Sequence, residues 1–181
     1  MDHIIKSDLY RYSGKKSLAE FYFMLFNPCF RYTFLYRKSS KYGNKTILGI
    51  FYRILKKHYG LKYAVQIPST AKIGKGLYIS HIGNIILNPE TKMGENCNIA
   101  QGVTIGLENR GKNKGVPTIG NEVWIGANSV IVGKIKIGNN VLIAPNCFVN
   151  FDIPDNSIVI SSKCAIHENI KATEDYIENK L

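Results

Sequence analysis

The sequence predicts a mainly β protein, a three-sided solenoid of short stacked strands preceded by a helical segment. Three observations carry this. Aliphatic residues recur at every sixth place from residue 67, small or apolar residues recur at the fourth place after each, and composition shifts abruptly near residue 63.

The recurrence runs through Ile67, Ile73, Ile79 and Ile85, slips by two residues, and resumes at Leu87, Met93, Ile99 and Ile105. After an interruption it continues at Ile119, Ile125, Ile131, Ile137, Ile143 and Val149. The fourth place after these residues holds Ala71, Leu77, Cys97, Val103, Val123, Ser129, Ile135, Val141 and Cys147. Side chains alternate across a strand, so i and i+4 point to one side. A short strand and a tight bend every six residues would aim both inward, and three such strands make one coil. Glycine follows the aliphatic residue at 74, 94, 106, 120, 126 and 138, and is expected to relieve strained φ near the bends. A helix does not fit, because six residues advance about 600° and drift off any single face.

Residues 1–63 hold 13 Lys and Arg against 3 Asp and Glu, and 15 of the 20 aromatic residues. Residues 64–181 hold 11 against 10. Such a shift marks two parts with different roles. In the first part, Ser17 is placed to cap a helix from Leu18 through Phe26, stopped near Asn27-Pro28. A second helical stretch spans Phe30 to Tyr42. A third spans Thr46 to Tyr59, with Ile47, Ile50, Phe51, Ile54 and Leu55 on one stripe, and Gly60 is expected to end it. The organisation expected is a basic, aromatic-rich helical segment over 1–63, a solenoid over 64–160, and a tail or short helix over 161–181. Residues 107–118, LENRGKNKGVPT, are polar, basic and glycine-containing, and read as a loop protruding from the coils that can cover a site on a neighbouring copy.

No run of about 18 apolar residues is present, so no transmembrane helix is expected. The first residues are too polar for a secretory signal, and a cytoplasmic location follows as the expectation. Cys29, Cys97, Cys147 and Cys164 form no CxxC pair and show no zinc spacing, so reduced, buried thiols are expected and no metal site. No recognisable nucleic-acid-binding module accompanies the basic segment, and nucleic acid is not an expected partner.

The aliphatic-Gly-x4 pattern resembles that of the hexapeptide-repeat acyltransferases, whose fold is a left-handed parallel β-helix. The stretch AKIGKGLYISHIGNIILNPETKMGENCNIAQGVTIG is similar to serine O-acetyltransferases and to sugar O-acetyltransferases of capsule and exopolysaccharide clusters. The N-terminal SDLYRYSGK and NPCFRYTFLYRK look more like the second group. The resemblance implies an acetyl-CoA-dependent O-acetyltransferase, assembled as a homotrimer with sites between adjacent subunits. It implies acetylation of a surface polysaccharide sugar as the leading reading, serine O-acetylation as the alternative, and a non-catalytic β-helix scaffold as the alternative of another class.

Residue by residue, His81 matches the general-base histidine of the family's H-x-x-G segment. Histidine titrates closest to neutrality and is the usual base for such a proton transfer. Asn84 and Gln101 are candidates to bind acceptor hydroxyls. Trp124, Gly126, Ala127, Ala144 and Pro145 are candidates for the wall carrying the pantetheine arm, and Lys163 for a phosphate of CoA. Backbone N–H groups near Gly102 and Gly106 are candidate oxyanion donors. Four places depart from the serine enzymes. Ser80 stands where they carry Asp, Gln66 and Pro68 where they carry an Asp-x-His, and Val116 where a second His precedes the proline. Near the end of the coils, Ser161-Ser162-Lys163 replaces the Gly-Asn-Pro that many relatives set against CoA. Lys and Arg beside aromatic residues in 1–63 also suit peripheral contact with an anionic membrane or a lipid-linked glycan.

Overall fold

The computed structural model describes residues 1–43 and 45–161; the expected tail, with Lys163 and Cys164, lies outside the described residues apart from Ser161. Four helices open the chain: α1 (His3–Ser13), α2 (Leu18–Met24), α3 (Pro28–Tyr42) and α4 (Ile47–Tyr63). Helix α1 is not among the expected helices; Asp2 caps it by accepting the Ile4 N–H. Ser17 caps α2 as expected, accepting from the Glu20 N–H at 3.2 Å, and Asn27 caps α3.

Gly60 does not end α4. The helix runs on to Tyr63 and closes at Ala64 in the left-handed region. Gly60 is buried within it, because a Cβ there would lie 2.8 Å from the Val65 carbonyl oxygen. Close approach, not chain reversal, explains this glycine.

Fourteen short strands follow among the described residues and stack into three parallel sheets, about five coils deep. The first sheet holds β1 (Val65–Gln66), β4 (Ile85–Leu87), β7 (Thr104–Gly106), β10 (Val130–Val132) and β13 (Phe148–Val149). The second holds β2 (Lys72–Ile73), β5 (Lys92–Met93), β8 (Thr118–Ile119) and β11 (Lys136–Ile137). The third holds β3 (Tyr78–Ile79), β6 (Asn98–Ile99), β9 (Trp124–Ile125), β12 (Val141–Ile143) and β14 (Ser157–Val159). The chain visits the sheets in rotation, so each coil pairs with the next in register, as in Ile79 with Ile99 and Ile99 with Ile125. This is the parallel β-solenoid expected of a left-handed β-helix. Every repeating aliphatic residue and every fourth-place residue named above is buried, and all but Ser129 belong to one continuous hydrophobic core.

The repeat glycines correct one expectation. Gly74, Gly94, Gly120, Gly126 and Gly138 do not have positive φ. A Cβ at any of them would come within 2.5–2.6 Å of backbone atoms in the next coil. They are glycine because adjacent corners stack closely, and overpacking is costly. The left-handed positions come two residues later, at Gly76, Asn96, Glu122, Asn140, Gly102, Asn128 and Asn146, mostly glycine and asparagine as that region favours. Gly126→Ala should therefore cost about 1–3 kcal/mol, read as a lowered melting temperature.

A solenoid exposes the unpaired edge of its first coil, and such edges need cover. Here the helices supply it. The Ile67 N–H donates to Tyr32 Oη at 3.0 Å and the Ile79 N–H to Tyr12 Oη at 2.8 Å, while Tyr36 Oη donates to the Ala71 carbonyl at 2.7 Å. Arg37 donates to the carbonyls of Ile73 and Gly74, both at 2.6 Å, and pairs with Asp8 at 2.7 Å. Asp8 in turn accepts from the N–H groups of Gly76 and Leu77 at 2.8 and 2.9 Å. Lys56 Nζ donates to the Ile67 carbonyl at 2.9 Å, and burial, with Arg53 nearby, pushes its pKa down to about 8.

Burial pushes the Tyr12 and Tyr36 phenols upward and Tyr32 up to about 12. A tyrosine in the unfolded chain titrates near 10. Above that pH the unfolded state loses protons that the folded state keeps, so stability falls as pH rises. For Tyr32 the loss should reach about 1 kcal/mol by pH 11. Lys56, which sheds its proton sooner in the folded chain, acts in the opposite direction over this range, so the tyrosine effect is read as a difference: between pH 9 and 11 Tyr32→Phe should gain about 1 kcal/mol of stability relative to the wild type in melting curves.

Candidate active site

The two-residue slip has a structural consequence. Strand register sets Ile79 beside Ile99 and Ile86 beside Thr104. The corner from Ile79 to Ile85 is therefore two residues longer than the one stacked on it, Ile99 to Val103. The extra length bulges outward, with Gly83 and Asn84 both at positive φ, and presents His81 and Ile82 exposed. Neighbouring Ser80 packs inward, its hydroxyl 3.4 Å from the Ile99 carbonyl.

Successive corners between the third and first sheets stack beneath this bulge. The Gly102 N–H donates to the Gly83 carbonyl at 2.8 Å, the Asn128 N–H to the Gln101 carbonyl at 3.0 Å and the Asn146 N–H to the Ala127 carbonyl at 2.9 Å. One column of corners thus carries His81, Asn84, Gln101, Gly126, Ala127, Ala144 and Pro145. His81 is the only histidine on it. His3 and His58 are exposed on α1 and α4, and His167 lies outside the described residues.

Trp124 stands one residue before this column, on the outer face of the third sheet. It pairs with Asn98 and Leu142 and is 37% exposed. Arg11 of α1 reaches Asn98 Oδ1 and completes a cleft with Trp124, Asn96 and Glu122.

Several of the candidate groups have structural roles of their own. The Gly102 N–H is already spent on Gly83 and offers nothing to an oxyanion, and Gly106 lies at the far end of β7, paired with Val132 across the first sheet from His81. Gly126 has a packing role that accounts for it without a ligand, 2.5 Å being the separation an added Cβ would have from the Pro145 nitrogen. Asn84 likewise sits where a turn requires a left-handed residue.

The loop of residues 107–117 leaves the corner between the first and second sheets. A bridge between Glu108 and Gly115 closes it. It folds along its own coils, since the Lys134 N–H donates to the Asn113 carbonyl and Asn113 Nδ2 to the Asn150 carbonyl, both at 2.7 Å. Cys29, Cys97 and Cys147 are buried free thiols. Among the described residues, no group of three His, Cys, Asp or Glu converges to hold a metal.

Residues 117–150 match the family model described as bacterial transferase hexapeptide (six repeats). A serine acetyltransferase of Helicobacter pylori is 37% identical over 99 residues, covering 55% of this chain and 58% of that protein. The crystal structure of Neisseria gonorrhoeae serine acetyltransferase in complex with serine superposes with a TM-score of 0.70 at 27% identity, over 88% of this chain and 66% of that one. A serine acetyltransferase in complex with CoA has the same fold, with a TM-score of 0.69 at 23% identity, over 86% of this chain and 64% of that one. The chain thus spans little more than half the length of the Helicobacter relative. It carries a hexapeptide-repeat parallel β-solenoid built like those of the serine acetyltransferases it resembles.

Proposed function

We propose that the chain is an acetyl-CoA-dependent O-acetyltransferase in which His81 is the general base. The observation that carries this is the position of His81, alone on a lengthened corner at the head of a column of small residues. An acceptor hydroxyl hydrogen-bonded to the imidazole gives up its proton as its oxygen attacks the thioester carbonyl. The tetrahedral intermediate then expels the CoA thiolate, which takes the acceptor's proton from the imidazolium and leaves as the thiol. Ala127, Ala144 and Pro145 leave room for the pantetheine arm to run along the column, and Trp124 borders it. Asn84 and Gln101 flank the place where the acceptor meets His81. Lys163, a proposed phosphate contact, belongs to the tail.

His81 and the loop stand at opposite edges of the first sheet, so a site that uses both is closed by a second copy. The first sheet turns Ile86 and Phe148 outward, whereas the second turns out Lys72, Lys92 and Lys136. Aligned lysines oppose self-packing. In the proposed homotrimer the subunits join through the apolar-bearing faces, with the lysine face left outside.

The names of the relatives favour serine as acceptor. A specific observation favours a second reading, a neutral sugar hydroxyl: Ser80, Gln66, Pro68 and Val116 are uncharged where serine enzymes carry acids and histidines. A free amino acid has two charges to satisfy, and these four side chains offer it no charged partner. CoA release with acetyl-CoA and L-serine decides between them. Serine-dependent release establishes the first reading, and release only with a hexose-containing acceptor establishes the second. Failure of acetyl-CoA to bind in calorimetry would overturn both and leave a scaffold.

A further inference from the structure

The apolar stripe of α4 faces away from the protein. Ile47, Ile50, Phe51, Ile54 and Leu61 recur at helical spacing and are 50% to 88% exposed. The inward face of the helix is instead Gly49, Tyr52, Lys56, Tyr59, Gly60 and Tyr63, packed toward α3 and β1. Exposed apolar strips of this kind mark interaction sites.

Charge identifies the partner. Residues 21–89 contain 11 Lys and Arg and no Asp or Glu. Of the three acids before them, Asp2 and Asp8 are committed to Lys41 and Arg37, and Glu20 lies 4.0 Å from Lys15. On α4, Arg53 and Lys57 flank the stripe on one side and Lys62 on the other. A groove of about 550 Å³ beside it is walled by Ile50 and Ile54 and lined by Arg53, Lys57, Ser69 and Thr70. The Ser69 and Thr70 hydroxyls are engaged with Ser39 and Lys56 and with the Pro89 carbonyl, so the cations carry the attraction, and cations next to exposed isoleucines suit a phosphate headgroup joined to an acyl chain.

We propose that α4 is an interfacial helix that seats the helical end of the solenoid on an anionic phospholipid surface, with a headgroup phosphate in the Arg53–Thr70 groove. A second copy is a poorer occupant. Packing α4 on itself would bring two sets of cations together with no carboxylate on the helix to pair them, whereas an anionic bilayer takes both the stripe and the charge. The proposal does not depend on the chemistry at His81, so His81→Ala protein should bind vesicles as the wild type does.

The test is cosedimentation of the full chain with phosphatidylglycerol–phosphatidylcholine vesicles, against phosphatidylcholine alone. Binding to the anionic vesicles that weakens with salt supports the proposal. Lys57→Gln and Lys62→Gln should each lower the partition coefficient about fivefold at low salt. Ile54→Glu should lower it at least tenfold with an unchanged melting temperature. No binding to anionic vesicles at low salt overturns the proposal, as does binding that Ile54→Glu leaves intact. So does a higher oligomer in sedimentation velocity that Ile54→Glu dissociates, which would give the stripe to a second copy. Inorganic phosphate bound in the groove without vesicle binding would assign it to a soluble anion and overturn the membrane reading.

Discussion

On the proposed mechanism, alanine in place of His81 is expected to lower the rate of acetyl transfer by about 10²–10⁴-fold, the contribution of a positioned base. The loss should fall on kcat, because a general base acts on the proton in flight and not on binding of the donor. The melting temperature stays where it was, since the side chain is exposed and surface substitutions away from packing features shift stability by less than about 0.5 kcal/mol. Acetyl-CoA binding in calorimetry is also unchanged. Measuring turnover, melting and donor affinity together separates a base from a residue that merely shapes the corner. Full turnover in the variant would remove His81 from the mechanism, and lost folding would move it from chemistry to structure.

The largest effect on stability is expected at Asp8. Its carboxylate is 1% exposed and holds Arg37 at 2.7 Å while accepting two backbone N–H groups of the first coil. Asp8→Ala leaves a buried guanidinium without its counter-charge and two N–H groups without an acceptor. Removing one member of a buried pair costs about 3–5 kcal/mol. For a chain of this size that corresponds to a melting temperature lower by about 6–20 °C. Replacing both residues together, as Asp8→Leu with Arg37→Met, should recover part of the loss, because no charge is left buried alone. Recovery stays incomplete, since Arg37 also serves the carbonyls of Ile73 and Gly74. A drop of less than about 1 kcal/mol in Asp8→Ala would mean that the helices do not cap the first coil through this pair.

These two sites differ in how far the sequence announces them. His81 is visible because it lies within the coils beside a break in a counted repeat and matches the H-x-x-G segment, and the slip next to it is a local property of the chain. Asp8 and Arg37 carry no such mark. They are 29 residues apart and meet a third segment at Gly76 and Leu77, so only folding brings them together. The same holds for the tyrosines at 12, 32 and 36. Their abundance is plain in the composition, and their role as hydrogen-bonding covers for an open sheet edge is not.

The six-residue recurrence by itself determined the coil and which side chains enter its core, because alternation along a strand is a local rule and every repeat obeys it. Tertiary structure decided what local rules do not reach. Stacking made the repeat glycines a matter of backbone clearance and moved the left-handed residues two places on. It also spent the Gly102 N–H on Gly83, drew a scattered set of residues into one column under His81, and turned the apolar stripe of α4 outward. Each of these outcomes depends on a neighbour from another coil or helix, and a linear pattern does not specify which neighbour that is.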